Sequence, residues 1–325
     1  MEMIKGKKIA LIGGAGFIGH NLALKLKSLG ADVHVIDGLS VNHLLSFSST
    51  TKENPFRELC LRILNQRMDL LQRYQIPVHV QDARDYYQLS KLINQVIEPS
   101  VVVHLAAVAH ADRSNKDPYS TFDHSLRTLE NALDACRSTN VKHFIYFSSS
   151  MVYGHFPEGH VSEETLCNPL GIYGALKFAG EKMVIAYNQA FNVPYTIVRP
   201  SALYGERCVS RRVGQIFIEN ALKNSDITIS GNGEDRLDFT YIDDLVSGIV
   251  NVIESDKAKG EIFNLTYGES RSINQMVNIL KQFFPEIKVS YTPKDKLTPD
   301  RGTLSVEKAR RLIGYRPSNP LDVGF

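Results

Sequence analysis

The apolar run Lys8 to Ile12 breaks into Gly13-Gly14-Ala15-Gly16-Phe17-Ile18-Gly19, after which Leu22, Leu26 and Leu29 recur at helical spacing. This strand, turn and helix constrain the fold more than any other stretch of the chain. Glycines at positions 13, 16 and 19 permit a tight turn, a close approach of backbone to a pyrophosphate, and packing of helix on strand. The phosphates then meet the free N–H groups of a helix N-terminus, here Phe17, Ile18 and Gly19. A second strand, Asp32 to Ile36, ends at Asp37, close to the offset of about 20 residues expected of a ribose-binding acid. A carboxylate there accepts hydrogen bonds from the adenosine ribose hydroxyls and repels a 2′-phosphate. The expected cofactor is therefore NAD, not NADP.

Strand and helix patterns continue to alternate downstream. Val78 to Gln81 reads as a strand ending at Asp82-Ala83, a contact for the adenine ring. Val101 to Ala107 reads as a buried strand whose Leu105, Ala106 and Ala107 leave space beside the cofactor. Phe144 to Phe147 delivers Ser148, Ser149 and Ser150 to a strand's C-terminal end, the edge where open α/β sheets bind ligands. The alternation implies right-handed βαβ units and a parallel sheet. The link from His43 to Gln75 is long for such a unit, and apolar spacing from Phe56 to Tyr74 predicts an inserted helix over the nucleotide edge. Packing or a dimer contact is its expected role.

Tyr173 and Lys177 stand four apart, so on a helix they share a face. An ammonium one turn from a phenol favours the phenolate, as a general base at neutral pH requires. A serine facing the phenol hydrogen-bonds the substrate oxygen as its proton leaves. These three groups suit hydride transfer to or from a carbon that bears oxygen.

Bulk properties exclude several classes. A net charge of +2 gives no global attraction to nucleic acid or acidic membranes. No apolar run approaches the ~18 residues of a membrane span. Cys60, Cys136, Cys167 and Cys208 are scattered without a Cys-x-x-Cys, which predicts reduced thiols and no metal site. Residues 1–8 run straight into the first strand, leaving no room for a signal peptide. A soluble cytoplasmic protein is expected.

As a set, these residues resemble the extended short-chain dehydrogenase/reductase superfamily, and within it the nucleotide-sugar epimerases and dehydratases, with UDP-hexose 4-epimerases a good match. The resemblance covers nearly the whole chain and includes the glycine loop, Asp37, Asp82, His104 to Ala107, Ser148 to Gly154, Tyr173/Lys177 and Asp238 to Asp244. It implies Ser149 as the catalytic serine, because that residue lies three before Val152-Tyr153-Gly154. It also implies Tyr173 as the base, and Lys177 as the residue that holds the nicotinamide ribose and tunes the phenol. Family members that eliminate water carry an Asp-Glu pair after the catalytic residue, and decarboxylating members carry Glu where Met151 stands. Here Ser150 and Met151 occupy those positions, which argues for C4 oxidation followed by hydride return.

The chain departs from the family at His124 and Arg127, where Asn and Gly are usual, and at Ala202, where Asn is usual. The diphosphate-binding arginine usually adjoins the Asp-Phe pair, but here Leu237 separates Arg236 from Asp238-Phe239. Planar guanidinium donors suit phosphate oxygens in pairs, so Arg236 and Arg301 are the expected clamps, with Ser149 and Ser150 as further substrate contacts. Arg207, Arg211 and Arg212 read equally as surface residues. His110 and Arg113 lie where the family's sugar pocket begins, and Asp243 and Asp244 read as helix caps.

The expected architecture is α/β: a Rossmann doubly wound parallel sheet with a smaller mixed α/β substrate-binding part. Residues 1–198 form the NAD-binding domain, and residues 199–325 form the nucleotide-sugar domain interleaved with it. The expected reaction is C4 epimerisation of a nucleotide-diphosphate sugar, most simply a UDP-sugar, by a homodimer. Net 4-dehydrogenation, C3/C5 epimerisation and non-catalytic dinucleotide binding are the alternatives.

Overall fold

The computed structural model describes residues 4–40, 56–108, 111–209, 212–294 and 297–325. His110, Arg211 and the first part of the 43–75 insertion lie outside the described residues. Seven strands form the central sheet: β1 (Lys8–Ile12), β2 (Asp32–Asp37), β3 (Val78–Val80), β4 (Val101–His104), β5 (His143–Phe147), β6 (Tyr195–Arg199) and β7 (Glu261–Asn264). Their order is β3-β2-β1-β4-β5-β6-β7, and every pairing is parallel. From β1 the chain winds outward to β3, then crosses back to β4 on the other side. That reversal opens a crevice at the C-terminal strand ends, where open α/β sheets hold ligands.

The principal helices are α1 (Phe17–Ser28), α2 (Arg57–Arg73), α3 (Thr128–Arg137), α4 (Gly171–Phe191), α5 (Val213–Leu222), α6 (Ile242–Glu254) and α7 (Ile273–Phe283). They cover both faces of the sheet, which is why the central strands β4 and β5 are buried along their whole length. Ile9 and Leu11 pack on one side with Leu22 and Leu26 of α1 and Leu245 and Ile249 of α6. Ala10 and Ile12 pack on the other side with Leu129 and Leu133 of α3 and Val184 of α4.

Beyond β6 the chain forms short strand pairs: Leu203–Tyr204 with Thr240–Tyr241, Ile227–Ser230 with Val289–Thr292, and Arg236–Asp238 with Ser270–Ser272. A further pair joins Thr303–Leu304 to His160–Val161, so it draws one strand from before residue 198. Conversely, β7 enters the central sheet from beyond residue 199. A capping box starts α7: Gln275 N donates to Ser272 Oγ at 3.2 Å and Ser272 N to Gln275 Oε1 at 2.8 Å.

The expected capping role of Asp243 and Asp244 does not hold. Helix α6 has Tyr241 at its N-cap and no side-chain cap. Asp244 instead accepts hydrogen bonds from Ser318 N at 2.9 Å, Asn319 N at 3.0 Å and Asn319 Nδ2 at 2.9 Å, anchoring the C-terminal segment. Among the described residues, no helix is long and apolar enough to cross a membrane.

Candidate active site

The expected cofactor residues come together along the C-terminal edges of β1 to β4. Gly13 has φ +81°, and a Cβ there would lie 2.6 Å from Ala106 N, so the turn and the 105–107 segment touch backbone to backbone. A Cβ on Gly19 would meet Gly14 Cα at 2.5 Å, because α1 starts directly on the turn. Gly16 meets nothing nearer than Gly13 O at 3.2 Å and is the N-cap of α1 without a side-chain cap. The first-turn N–H groups of Phe17, Ile18 and Gly19 are therefore left for a ligand. A backbone cradle with little side-chain bulk, at a helix N-terminus without a side-chain cap, fits the pyrophosphate of a dinucleotide.

Asp37 lies beneath this cradle. Its Oδ2 accepts from Ala15 N at 2.9 Å and its Oδ1 from Leu39 N at 2.8 Å. Burial raises its carboxyl pKa, and the two N–H donors and nearby Arg67 oppose that rise. A Cβ on Gly38 would lie 3.2 Å from Asp82 Cα, so the β2 and β3 ends are neighbours. Asp82 is paired with Arg84, whose guanidinium also bonds Asp123 at 2.8 Å. Next to it, Ala83 is buried and its carbonyl accepts Asn131 Nδ2 at 2.9 Å. Leu105, Ala106 and Ala107 are half-buried on the same edge.

The candidate catalytic groups converge where β5 meets α4. Ser149 is 8% exposed, and its Oγ accepts from Met151 N at 3.2 Å, leaving its own proton free to donate. Ser150 is buried and donates to Ser201 Oγ at 3.3 Å. Gly174 brings α4 onto this turn, since a Cβ there would lie 2.8 Å from Met151 O. Tyr173, beside it, is half-buried, and its hydroxyl has no hydrogen-bond partner among the described residues. Lys177, one turn on, is buried and donates to Phe147 O at 2.6 Å. Burial pushes its ammonium down to about 8, with Glu181 opposing.

Two features behind the site were not foreseen. Glu181 and Arg199 form a buried bidentate pair at 2.7 and 2.8 Å, with Ser148 Oγ donating to the same carboxylate at 2.5 Å. A helical four-residue step from Lys177 to Glu181 was the available signal. Secondly, Arg67 of α2 donates to Arg207 O at 3.0 Å, while the Arg207 guanidinium donates to His20 Nε2 at 2.9 Å and Asn21 Oδ1 at 2.7 Å. The inserted helix is thus tied to α1, the helix that starts at the glycine turn. Arg207 has left the surface reading for this internal tie.

The two expected phosphate clamps differ in environment. Arg236 is exposed and donates to Ser270 Oγ at 3.0 Å and Ser270 O at 2.5 Å. Strand alternation turns it away from the face of buried Leu237. Arg301 is half-buried and has no hydrogen bond or ion pair among the described residues. Burial, reinforced by Arg212, pushes its guanidinium down to about 10, with Asp235 opposing. A guanidinium held beside a second cation and without a partner is a site for an anion. Elsewhere, a cavity of about 380 Å³ between α2 and α5 contains none of Ser149, Tyr173, Lys177 or Arg301 in its lining.

A family model described as "NAD dependent epimerase/dehydratase family" matches residues 9–266. An uncharacterized UDP-glucose epimerase, YtcB, of Bacillus subtilis (strain 168) is 31% identical over 323 residues, covering 98% of this chain and 95% of that protein. The crystal structure of UDP-glucuronic acid 4-epimerase from Bacillus cereus, in complex with UDP-glucuronic acid and NAD, superposes with a TM-score of 0.85 at 29% identity, covering 97% of this chain and 96% of that one. UDP-glucose 4-epimerase of Thermotoga maritima, with UDP-glucose, gives a TM-score of 0.84 at 25% identity, covering 97% and 95%. With a matched span that runs from β1 through β7, and a 31% identical relative aligned over 98% of this sequence, the chain belongs to the NAD-dependent epimerase/dehydratase family.

Proposed function

We propose that this protein is an NAD-dependent 4-epimerase of a UDP-hexose or UDP-hexuronate. The observation that carries the reading is the unpartnered Tyr173 hydroxyl, one turn from buried Lys177, on a helix packed against the Ser149 turn. Bound NAD supplies reversible hydride acceptance at the sugar C4. In this reading the glycine cradle with Phe17 and Ile18 holds its pyrophosphate and Asp37 its adenosine ribose. Asp82 and Ala83 border the adenine, and Leu105, Ala106 and Ala107 flank the cofactor. Lys177 faces the nicotinamide ribose.

Tyr173 takes the proton from the C4 hydroxyl and later returns it, while Ser149 donates a hydrogen bond to the same oxygen. The Lys177 ammonium stabilises negative charge as it passes between the phenol and the C4 oxygen. Ser150 and Met151 carry no acid or base able to remove a proton at C5. The keto sugar therefore keeps its C–H bonds at C3 and C5 and turns over in the pocket before hydride return. Arg301 takes the diphosphate, and Arg236 joins it on release from Ser270. The Bacillus cereus structure, with UDP-glucuronic acid and NAD together, supports the uridine nucleotide.

Residues 1–198 carry the cofactor and the chemistry in this reading, and 199–325 most of the substrate contacts. The homodimer belongs to it as well. Ala175, Ala186 and Ala190 form an exposed apolar stripe on the side of α4 away from Lys177, bordered by half-buried Ala179 and Met183, which pack on the core. A second copy would cover that stripe. We place the protein in the cytoplasm, and a UDP-sugar product is a glycosyl donor for polysaccharide synthesis.

Turnover in D₂O tests the reaction. UDP-glucuronic acid and UDP-glucose are incubated with the enzyme and followed by NMR. A C4-inverted product with no carbon-bound deuterium, and flat absorbance at 340 nm, is expected. Deuterium at C3 or C5 would show enolisation and a C3/C5 epimerase, while stoichiometric NADH would establish a dehydrogenase; either result sinks the proposal.

A further inference from the structure

Tyr173, Lys177 and Glu181 follow one another at four-residue steps, so they descend one side of α4 in successive turns. Glu181 is 1% exposed and Arg199 3%, so water screens neither charge. The Glu181 carboxylate is fully engaged by the Arg199 fork and the Ser148 hydroxyl. Arg199 Nη1 donates to Tyr153 Oη at 2.9 Å, and Tyr153 Oη donates to Asn264 Oδ1 at 2.8 Å. One buried carboxylate thereby holds the strand end next to Ser149, the end of β6, and the turn that follows Ser150.

Among the described residues, the groups that face Lys177 are few. From its own helix come Tyr173 and Glu181. Strand β5 contributes Phe147 O and the Tyr146 ring, whose centroid lies 5.2 Å from the ammonium. From β4 comes His104, which burial and Lys177 push down to about 3, so it is neutral and offers no counter-charge. Tyr146 is pushed well up by burial and by Glu181, so its hydroxyl is neutral as well. Among the described residues, Glu181, one turn along α4 and without a direct ion pair to it, is the anionic group acting on Lys177.

We infer that Glu181 is a positioning residue for the reaction, supplying the counter-charge that keeps Lys177 an ammonium in a dry site and, through Ser148 and Arg199, fixing α4 against the strand that carries Ser149. The inference rests on the reading of Lys177 as part of the catalytic apparatus. An ion pair that merely staples helix to sheet would share the hydrogen bonds but would leave the titration of Lys177 alone.

The test separates these roles. Glu181→Gln alone leaves Arg199 buried and unpaired, so the informative variant is Glu181→Gln/Arg199→Met, which removes both charges together. Protein carrying ¹³C-labelled lysine is titrated by NMR, and the Lys177 Cε resonance is identified by its loss in Lys177→Arg. The wild-type midpoint is expected near the value of about 8 set by its surroundings. In the double variant it falls, by an amount that the simultaneous loss of the Arg199 charge reduces, and the pH profile of kcat on UDP-glucuronic acid moves with it while KM holds. A folded double variant with an unchanged Lys177 midpoint overturns the inference. Glu181→Asp draws the carboxylate back by one methylene but keeps its charge, and it decides the matter if the double variant does not fold. Its Lys177 midpoint shifts downward under the inference and stays put under a merely structural role. The NMR arm needs no turnover, so inactivity of the wild type on UDP-sugars would count against the 4-epimerase reading and leave this one standing or falling by itself.

Discussion

His104 offers a stability experiment whose size and pH dependence both follow from its surroundings. The ring is 1% exposed between Phe144 and Tyr146, and among the described residues its nitrogens make no well-formed hydrogen bond, only a weak one with the Thr128 backbone. Burial and the nearby Lys177 push it from 6.5 down to about 3. His104→Leu replaces the ring with an apolar side chain of similar size and removes the orphaned polar atoms. Relief of unsatisfied buried groups is worth about 1–3 kcal/mol, so the variant should be more stable than wild type at neutral pH.

The acid dependence is a separate effect. The native ring stays neutral while the unfolded chain takes up a proton below pH 6.5, so this contribution is complete above 6.5 and is lost as pH falls towards about 3. At about pH 5 the unfolded state has gained some 1.5 pH units of protonation free energy, about 2 kcal/mol, which the leucine variant does not lose. Urea unfolding at about pH 7.5 and about pH 5 measures both effects, and the advantage of the variant should grow by about 2 kcal/mol between them. A less stable variant at neutral pH would mean that His104 is satisfied, for example by water. An equal advantage at both pH values would mean that the ring titrates in the folded protein as it does in the unfolded chain.

Tyr173→Phe should keep the fold and NAD binding while turnover falls by a factor of about 10² to 10⁴, with Ser149→Ala costing less; substantial activity in Tyr173→Phe would place the base elsewhere. The proposed contact of Asp37 with the ribose predicts NAD binding at least about tenfold tighter than NADP in calorimetric titration of protein stripped of nucleotide, and equal affinities would refute it. Arg301→Ala should raise KM for the UDP-sugar about 10- to 100-fold with kcat nearly held, and Arg236→Ala by less because Ser270 already engages that side chain. The reverse order in steady-state kinetics would restore Arg236 as the main clamp.

Much of the candidate site was legible because its residues obey backbone periods. The glycine turn sits between a strand and a helix that each declare themselves by spacing, and Asp37 follows at the next strand end. Tyr173 and Lys177 needed one helical turn to meet. The parallel sheet was equally readable, since strands that alternate with helical stretches imply βαβ units. The insertion was legible as a helix, and α2 spans Arg57–Arg73.

Tertiary packing decided the rest, because it joins groups that no local period connects. Glu181 meets Arg199 across 18 residues, and Arg207 reaches His20 across 187. Which of two arginines stands free was settled by strand alternation and by Ser270, neither visible as a pattern around Arg236. Asp244 left its expected cap because the chain end at Ser318 and Asn319 offered better-placed donors. The sequence by itself determined the glycine turn, the strand-end position of Ser149 and the shared helix face of Tyr173 and Lys177, since these depend on neighbours within a turn or a strand end. Only the folded chain determined the charges around Lys177, because the free energy of a buried charge depends on every element packed against it.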